Sequence, residues 1–149
     1  MRRFKEIDHT ADVGFEIEGK NIENLFLAGL EALYNYIFQK ETFIAQMEDL
    51  SDDHTKPLLM SAPTLEDLLV LWLSDMHYKI EVYQDIMVGF SQLQIVEYKE
   101  YSQLEGKFVY KNVKDLEWKI ENEIKAVTYH KLEIRRQGNI FKTNVILDI

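Results

Sequence analysis

The sequence has no cysteine, and only two prolines and six glycines in 149 residues. Without cysteine there are no disulfides, thiolate zinc sites, iron–sulfur clusters or thiol nucleophiles, so any chemistry rests on oxygen and nitrogen groups. The absence fits a reducing compartment, and the expected location is cytoplasmic. Sparse proline and glycine, with 46% hydrophobic and 12% aromatic residues, describe an ordered chain and not a disordered acidic tail. No run of about 20 apolar residues offers a membrane helix, and no apolar stretch follows the two arginines near Met1, so neither membrane span nor signal peptide is expected. Positive charge is scarce too: 17 Lys and Arg stand against 26 Asp and Glu, a net charge of −9. A protein that grips nucleic acid unaided clusters basic residues against phosphates, so a basic partner is the better expectation. The length predicts one domain over residues 1–149.

Apolar alternation marks strands at residues 4–7 and 13–18, the second through Val13, Phe15 and Ile17. The polar run Asp8-His9-Thr10-Ala11-Asp12 between them is expected at one sheet end. Asn21 heads a helix in which Leu25, Phe26, Leu30, Leu33, Tyr34 and Ile37 give one core face. Thr64-Leu65-Glu66-Asp67 caps a second helix, whose stripe is Leu65, Leu68, Leu69, Trp72, Leu73, Met76 and Ile80. Residues 43–47 and 56–60 suggest short strands around an acidic loop at 48–54. Residues 88–96, 101–110, 124–136 and 140–149 are rich in β-branched and aromatic residues, with Gly106 and Gln137-Gly138-Asn139 as turn points. Residues 113–123 fit a strand or a helix equally. The predicted class is α+β: a two-layer fold of mostly antiparallel β-sheet with two main helices packed on one face.

The last strand predicts a docked end, because Val145 to Ile149 stays apolar where frayed ends are usually polar. Asp148 sits in that strand although Asp is depleted from strands, and the carboxylate of Ile149 follows it. Either Asp148 faces solvent beside a lysine, or the two acids hold a hard divalent cation. Asp8, His9 and Asp12 are further candidate ligands, or close a turn by local hydrogen bonds. His9 and His130 are possible acid–base groups, but no serine elbow or triad accompanies them. His130 is expected half-buried and hydrogen-bonded, while Lys125 on the other face of its strand meets phosphate or solvent. Glu48, Asp49, Asp52 and Asp53 lack the EF-hand order, and His77 with Glu81 reads as a surface pair.

Three segments, Glu6-Ile7-Asp8-His9-Thr10-Ala11-Asp12-Val13-Gly14, Ile124-Lys125-Ala126-Val127-Thr128-Tyr129-His130 and Leu147-Asp148-Ile149, resemble the archease family in their order along the whole chain. The resemblance implies a compact α+β protein with a metal site, often calcium. It implies a chaperone-like accessory protein of the GTP-dependent tRNA-splicing RNA ligase, one that promotes ligase guanylylation and turnover and catalyses nothing itself. Asp12, Asp148 and the carboxylate of Ile149 match the family's metal positions. Lys125 matches a position implicated in activation, with His9 and His130 beside it in the motifs. RNA would be met only through the ligase. Two other readings remain: a stand-alone metal-dependent phosphohydrolase, and a chaperone-like modulator of a tRNA methyltransferase.

Overall fold

Both helices begin at their capping residues. A computed structural model of the chain describes residues 1–9, 12–48, 55–130 and 132–149, with Asp8 and His9 described by backbone alone. Helix α1, Ile22–Phe38, starts from Asn21, whose Oδ1 accepts the Asn24 N–H at 2.8 Å. Helix α2, Leu65–Tyr83, starts from Thr64, whose hydroxyl accepts the Asp67 N–H at 3.1 Å and donates to the Asp67 carboxylate at 2.9 Å. Each cap satisfies an amide that the first helical turn leaves without a partner.

The strands are β1 Arg2–His9, β2 Asp12–Gly19, β3 Ala45–Gln46, β4 Lys56–Ala62, β5 Asp85–Glu97, β6 Ser102–Asn112, β7 Ala126–Thr128, β8 Arg135–Gln137 and β9 Ile140–Asp148. The α+β class with mostly antiparallel strands and two main helices is as the sequence predicts. The strands, however, divide between two sheets, each with its own helix, where the sequence pattern suggests one. The first compact unit, Met1–Thr42 with Ile120–Ile149, holds α1 and the sheet β1-β2-β9-β7, with β8 beside β9. The second, Phe43–Lys119, holds α2 and the sheet β3-β5-β6-β4. Local spacing reports the β5–β6 hairpin, but the insertion of β9 beside β2 joins distant segments, so no local pattern carries it.

In the first unit Phe15, Ile17, Val145 and Leu147 form the buried sheet face, and α1 packs on β1, β2 and β9. α1 is buried without interruption from Leu25 to Tyr34, beyond the single face expected. Its sequence permits this, because Glu31 is the only charged residue in that stretch. Gly19, the last residue of β2, lets the helix come close: a Cβ there would lie 2.3 Å from the Leu25 nitrogen and 2.7 Å from the Asn24 carbonyl carbon. Backbone cannot yield as a side chain does. Gly19→Ala is therefore expected to cost about 1–3 kcal/mol by overpacking, read as a Tm lower by several degrees in thermal unfolding.

Three local expectations are corrected. Residues 113–123 form neither helix nor strand: successive turns run from Asn112 to Trp118, with Glu117 in the left-handed region (φ 57). The Glu121 and Asn122 amides then donate to the Ile37 carbonyl at 2.8 and 3.1 Å, and Asn122 Nδ2 donates to the Tyr36 carbonyl at 2.9 Å. The segment caps the C-terminus of α1, a role periodicity does not reveal. Residues 124–136 are not one strand but β7 and β8. Gly106 is mid-strand in β6, not at a turn; β5 carries a bulge between Ser91 and Gln94 with Gln92 in the left-handed region (φ 56), and a Cβ on Gly106 would lie 3.4 Å from Leu93 Cα. The predicted 48–54 loop falls mostly outside the described residues.

Candidate functional site

The candidate residues lie in three segments of sequence, and the first sheet sets them in one row. In β1 and β2, His9 pairs with Asp12. Strand β9 runs antiparallel to β2 with Val13 opposite Leu147, so the same register one residue further sets Asp12 across from Asp148. On the other side of β9, Asp148 pairs with Ala126 of β7, and the Lys125 N–H donates to the Asp148 carbonyl at 2.7 Å. The row His9, Asp12, Asp148, Ala126 thus crosses four strands at one sheet end, with Lys125 and Ile149 one residue beyond.

Strand alternation decides where these groups point. Leu147 is buried on the helix side, so Asp148 projects from the other face and is exposed. Asp12 is half-buried, Lys125 is exposed and Ile149 is 42% exposed. Residues directly opposite in an antiparallel pair have Cβ atoms about 4.5–5.5 Å apart, and facing like charges are unfavourable. The Asp12–Asp148 pair therefore favours any cation that settles between or beside them. Oxygen is the only donor type it offers, which suits a hard divalent ion and not a soft one. Among the described residues no group of three or more histidine, aspartate or glutamate side chains converges on one point. The fit to a divalent cation thus rests on donor chemistry and on the pairing of two carboxylates.

His130 departs from expectation. β7 ends at Thr128, so His130 lies beyond the strand and is exposed, not half-buried; its backbone N–H donates to Thr128 Oγ1 at 3.2 Å. The register also carries β7 away from Asp148, through Thr128 opposite Ile146, so the described sheet does not bring His130 to the row. His9 stands in the row by backbone register, and its side chain is outside the described atoms. His77 Nε2 lies 3.3 Å from Glu81 Oε1 on α2, so the two residues pair as expected, but the His77 side chain is only 13% exposed and its Nε2 is buried, which corrects the surface reading on that side.

Further along the same face is a charged lattice that the strand motifs do not announce. Glu18, only 3% exposed at its side chain, takes an ion pair from Arg3 on β1 and another from Lys142 on β9 at 3.0 Å. Cross-strand alternation of Arg3 and Lys5 against Glu16 and Glu18 is the signal that finds it once β1 and β2 are paired. The Arg3 hydrogen bond holds the Glu18 carboxyl below the usual glutamate range, burial opposes that shift, and the Lys142 hydrogen bond adds to it. A carboxylate with a lowered folded pKa contributes stability above its unfolded pKa and loses it as pH falls through the folded one. Wild-type Tm is accordingly expected to fall below about pH 4, with Glu18→Gln lacking that part of the acid dependence. Arg3 is 70% exposed, so solvent screening keeps the effect modest.

These motifs extend to whole-chain similarity. Residues 4–149 match the model of the Archease protein family (MTH1598/TM1083). The chain belongs to the archease family. Relatives include the protein archease of Methanosarcina barkeri, 32% identical over 99% of this chain and 97% of its own. The protein archease of Thermotoga maritima is 28% identical over 97% of this chain and 98% of its own. The solution structure of protein 1598 of Methanobacterium thermoautotrophicum has the same fold, with a TM-score of 0.70 at 23% identity over 98% of both chains. No helix among the described residues is long and apolar enough to cross a membrane.

Proposed function

We propose that this chain is an accessory activator of the GTP-dependent tRNA-splicing RNA ligase, acting at the ligase's nucleotide site and making no phosphodiester bond itself. The observation that supports the reading is the convergence of three distant motifs, through Asp12, Lys125 and Asp148, on one end of one sheet. Asp12, Asp148 and the carboxylate of Ile149 would hold a divalent cation, calcium by the family resemblance, which when bound would supply positive charge to offset that of phosphate oxygens. Lys125, whose amide donates to the Asp148 carbonyl, is exposed at the same sheet end, where its ammonium would draw a phosphate toward that end. With His9 it belongs to the activating surface, while His130, which the described sheet does not bring to the row, stands outside it. The net charge of −9 steers the chain toward a basic, RNA-binding ligase, so RNA is met through that partner.

The test is single-turnover guanylylation of the cognate ligase, measured alone, with this protein and with its Asp12→Ala variant. The wild type is expected to raise the rate and the variant to leave it near the ligase-alone value. No stimulation of an active ligase by the wild type would refute the proposal. Phosphatase or nuclease turnover by the chain alone with Mg²⁺, Mn²⁺ or Ca²⁺ would replace it with a hydrolase reading.

A further inference from the structure

Helix α2 carries two apolar stripes, and the fold uses one. Leu68, Leu69, Trp72, Leu73, Met76 and Ile80 are buried, and the helix packs on β4, β5 and β6. On its outer side Leu71 is 41% exposed, Tyr78 54% and Val82 52%. At 3.6 residues per turn these three positions fall within about 40° of one another and span roughly 16 Å along the axis. Tyr83 at the helix end is 58% exposed and meets Tyr78 edge-on, with ring centroids 6.1 Å apart. Single exposed hydrophobic residues need no explanation, whereas an aligned row with ordered rings marks a contact surface.

Charge beside the row selects the occupant. α2 has four carboxylates, Glu66, Asp67, Asp75 and Glu81, against one lysine, Lys79. Asp75 and Glu81 border the row with side chains 29% and 41% exposed, and each is paired within the helix to Lys79 or His77. Those pairs leave carboxylate oxygens open to a partner. A second copy of the chain would set carboxylates against carboxylates across the row, so self-association is disfavoured. We infer that the outer row of α2 docks an amphipathic helix of a protein partner, with apolar residues at three-and-four spacing against Leu71, Tyr78 and Val82 and basic residues against Asp75 and Glu81. That the partner is the ligase rests on the activator reading; the chemistry of the docked helix does not.

The probe is a fluorescein-labelled amphipathic peptide of about 18 residues with lysine flanks, compared by anisotropy with one of equal apolar content and glutamate flanks. The wild type is expected to bind the lysine-flanked peptide about tenfold tighter or more, and Tyr78→Ser/Val82→Ser to weaken that binding about tenfold or more. Leu59→Ser, at a residue 66% exposed on β4, is expected to change nothing, and circular dichroism to show every variant folded. Equal binding of both peptides, equal binding by wild type and double variant, or a Tyr78-dependent dimer in sedimentation would overturn the inference. With the ligase, co-elution is expected to be lost in the double variant and kept in Asp148→Ala. A wild type that neither binds nor stimulates the ligase counts against the activator reading alone, because the peptide result decides the docking surface.

Discussion

Asp148→Ala is expected to abolish stimulation of ligase guanylylation while leaving the fold unchanged. The side chain is exposed and contributes little to packing. What fastens the end of β9 is backbone, through the Lys125 N–H on the Asp148 carbonyl at 2.7 Å, and that bond survives truncation of the side chain. Exposed substitutions of this kind lie within about 0.5 kcal/mol of neutral. Removing one of two facing carboxylates also relieves repulsion, so Tm without added metal is expected to hold or rise slightly. The metal supplies a second readout. A ligand bound only to the folded state stabilises it by about 2.7 kcal/mol at a concentration 100-fold above its Kd. Calcium is thus expected to raise the Tm of the wild type and not of the variant. A variant that stimulates the ligase as well as the wild type would sink the role of Asp148, and an equal calcium effect on both would remove the ion from it.

The elements were legible where one rule governed them. Asn21 and Thr64 start helices because their side chains satisfy amides of the first turn, which is local chemistry. Gly138, at φ 60 between the paired Gln137 and Ile140, turns the β8–β9 hairpin for the same kind of reason. The candidate site was legible as three motifs, and its assembly was not. That Asp12 faces Asp148 depends on the β2–β9 register, which Phe15 opposite Val145 and Ile17 opposite Thr143 set from the two ends of the chain. The division into two sheets is not legible in the sequence for the same reason, since a strand pattern states that a residue is inside without naming its neighbour. His130 misled differently: its segment has strand composition, but the ladder stops at Thr128, and composition cannot report where pairing ends. Gly106 differs through residue preference, because a glycine that marks turns elsewhere here leaves room for the Phe108 ring, 3.0 Å from where a Cβ would lie, beside the β5 bulge.

Arg2→Ala is expected to be among the most destabilising single substitutions in the first unit. Arg2 and Glu31 face each other with side chains 9% and 7% exposed, in a bidentate pair of 2.8 Å from Nε to Oε1 and 3.0 Å from Nη2 to Oε2. Arg2 Nη1 also donates to Asn24 Oδ1 at 3.2 Å, which ties β1 to the first turn of α1. Breaking a buried pair from one side costs about 3–5 kcal/mol, because the remaining charge stays desolvated, and total stability for such a domain is only about 5–15 kcal/mol. The two sides are not equivalent. Glu31 is fixed mid-helix, whereas Arg2 lies on β1, at the edge of its sheet, with a long side chain able to swing its guanidinium toward water. Arg2→Ala is accordingly expected to cost more than Glu31→Ala in urea unfolding. The double variant Arg2→Met/Glu31→Leu, which removes both charges and keeps the volume, is expected to recover most of the loss. If both single variants stay within about 0.5 kcal/mol of wild type, the pair behaves as an exposed one and α1 is held to β1 by its apolar contacts alone.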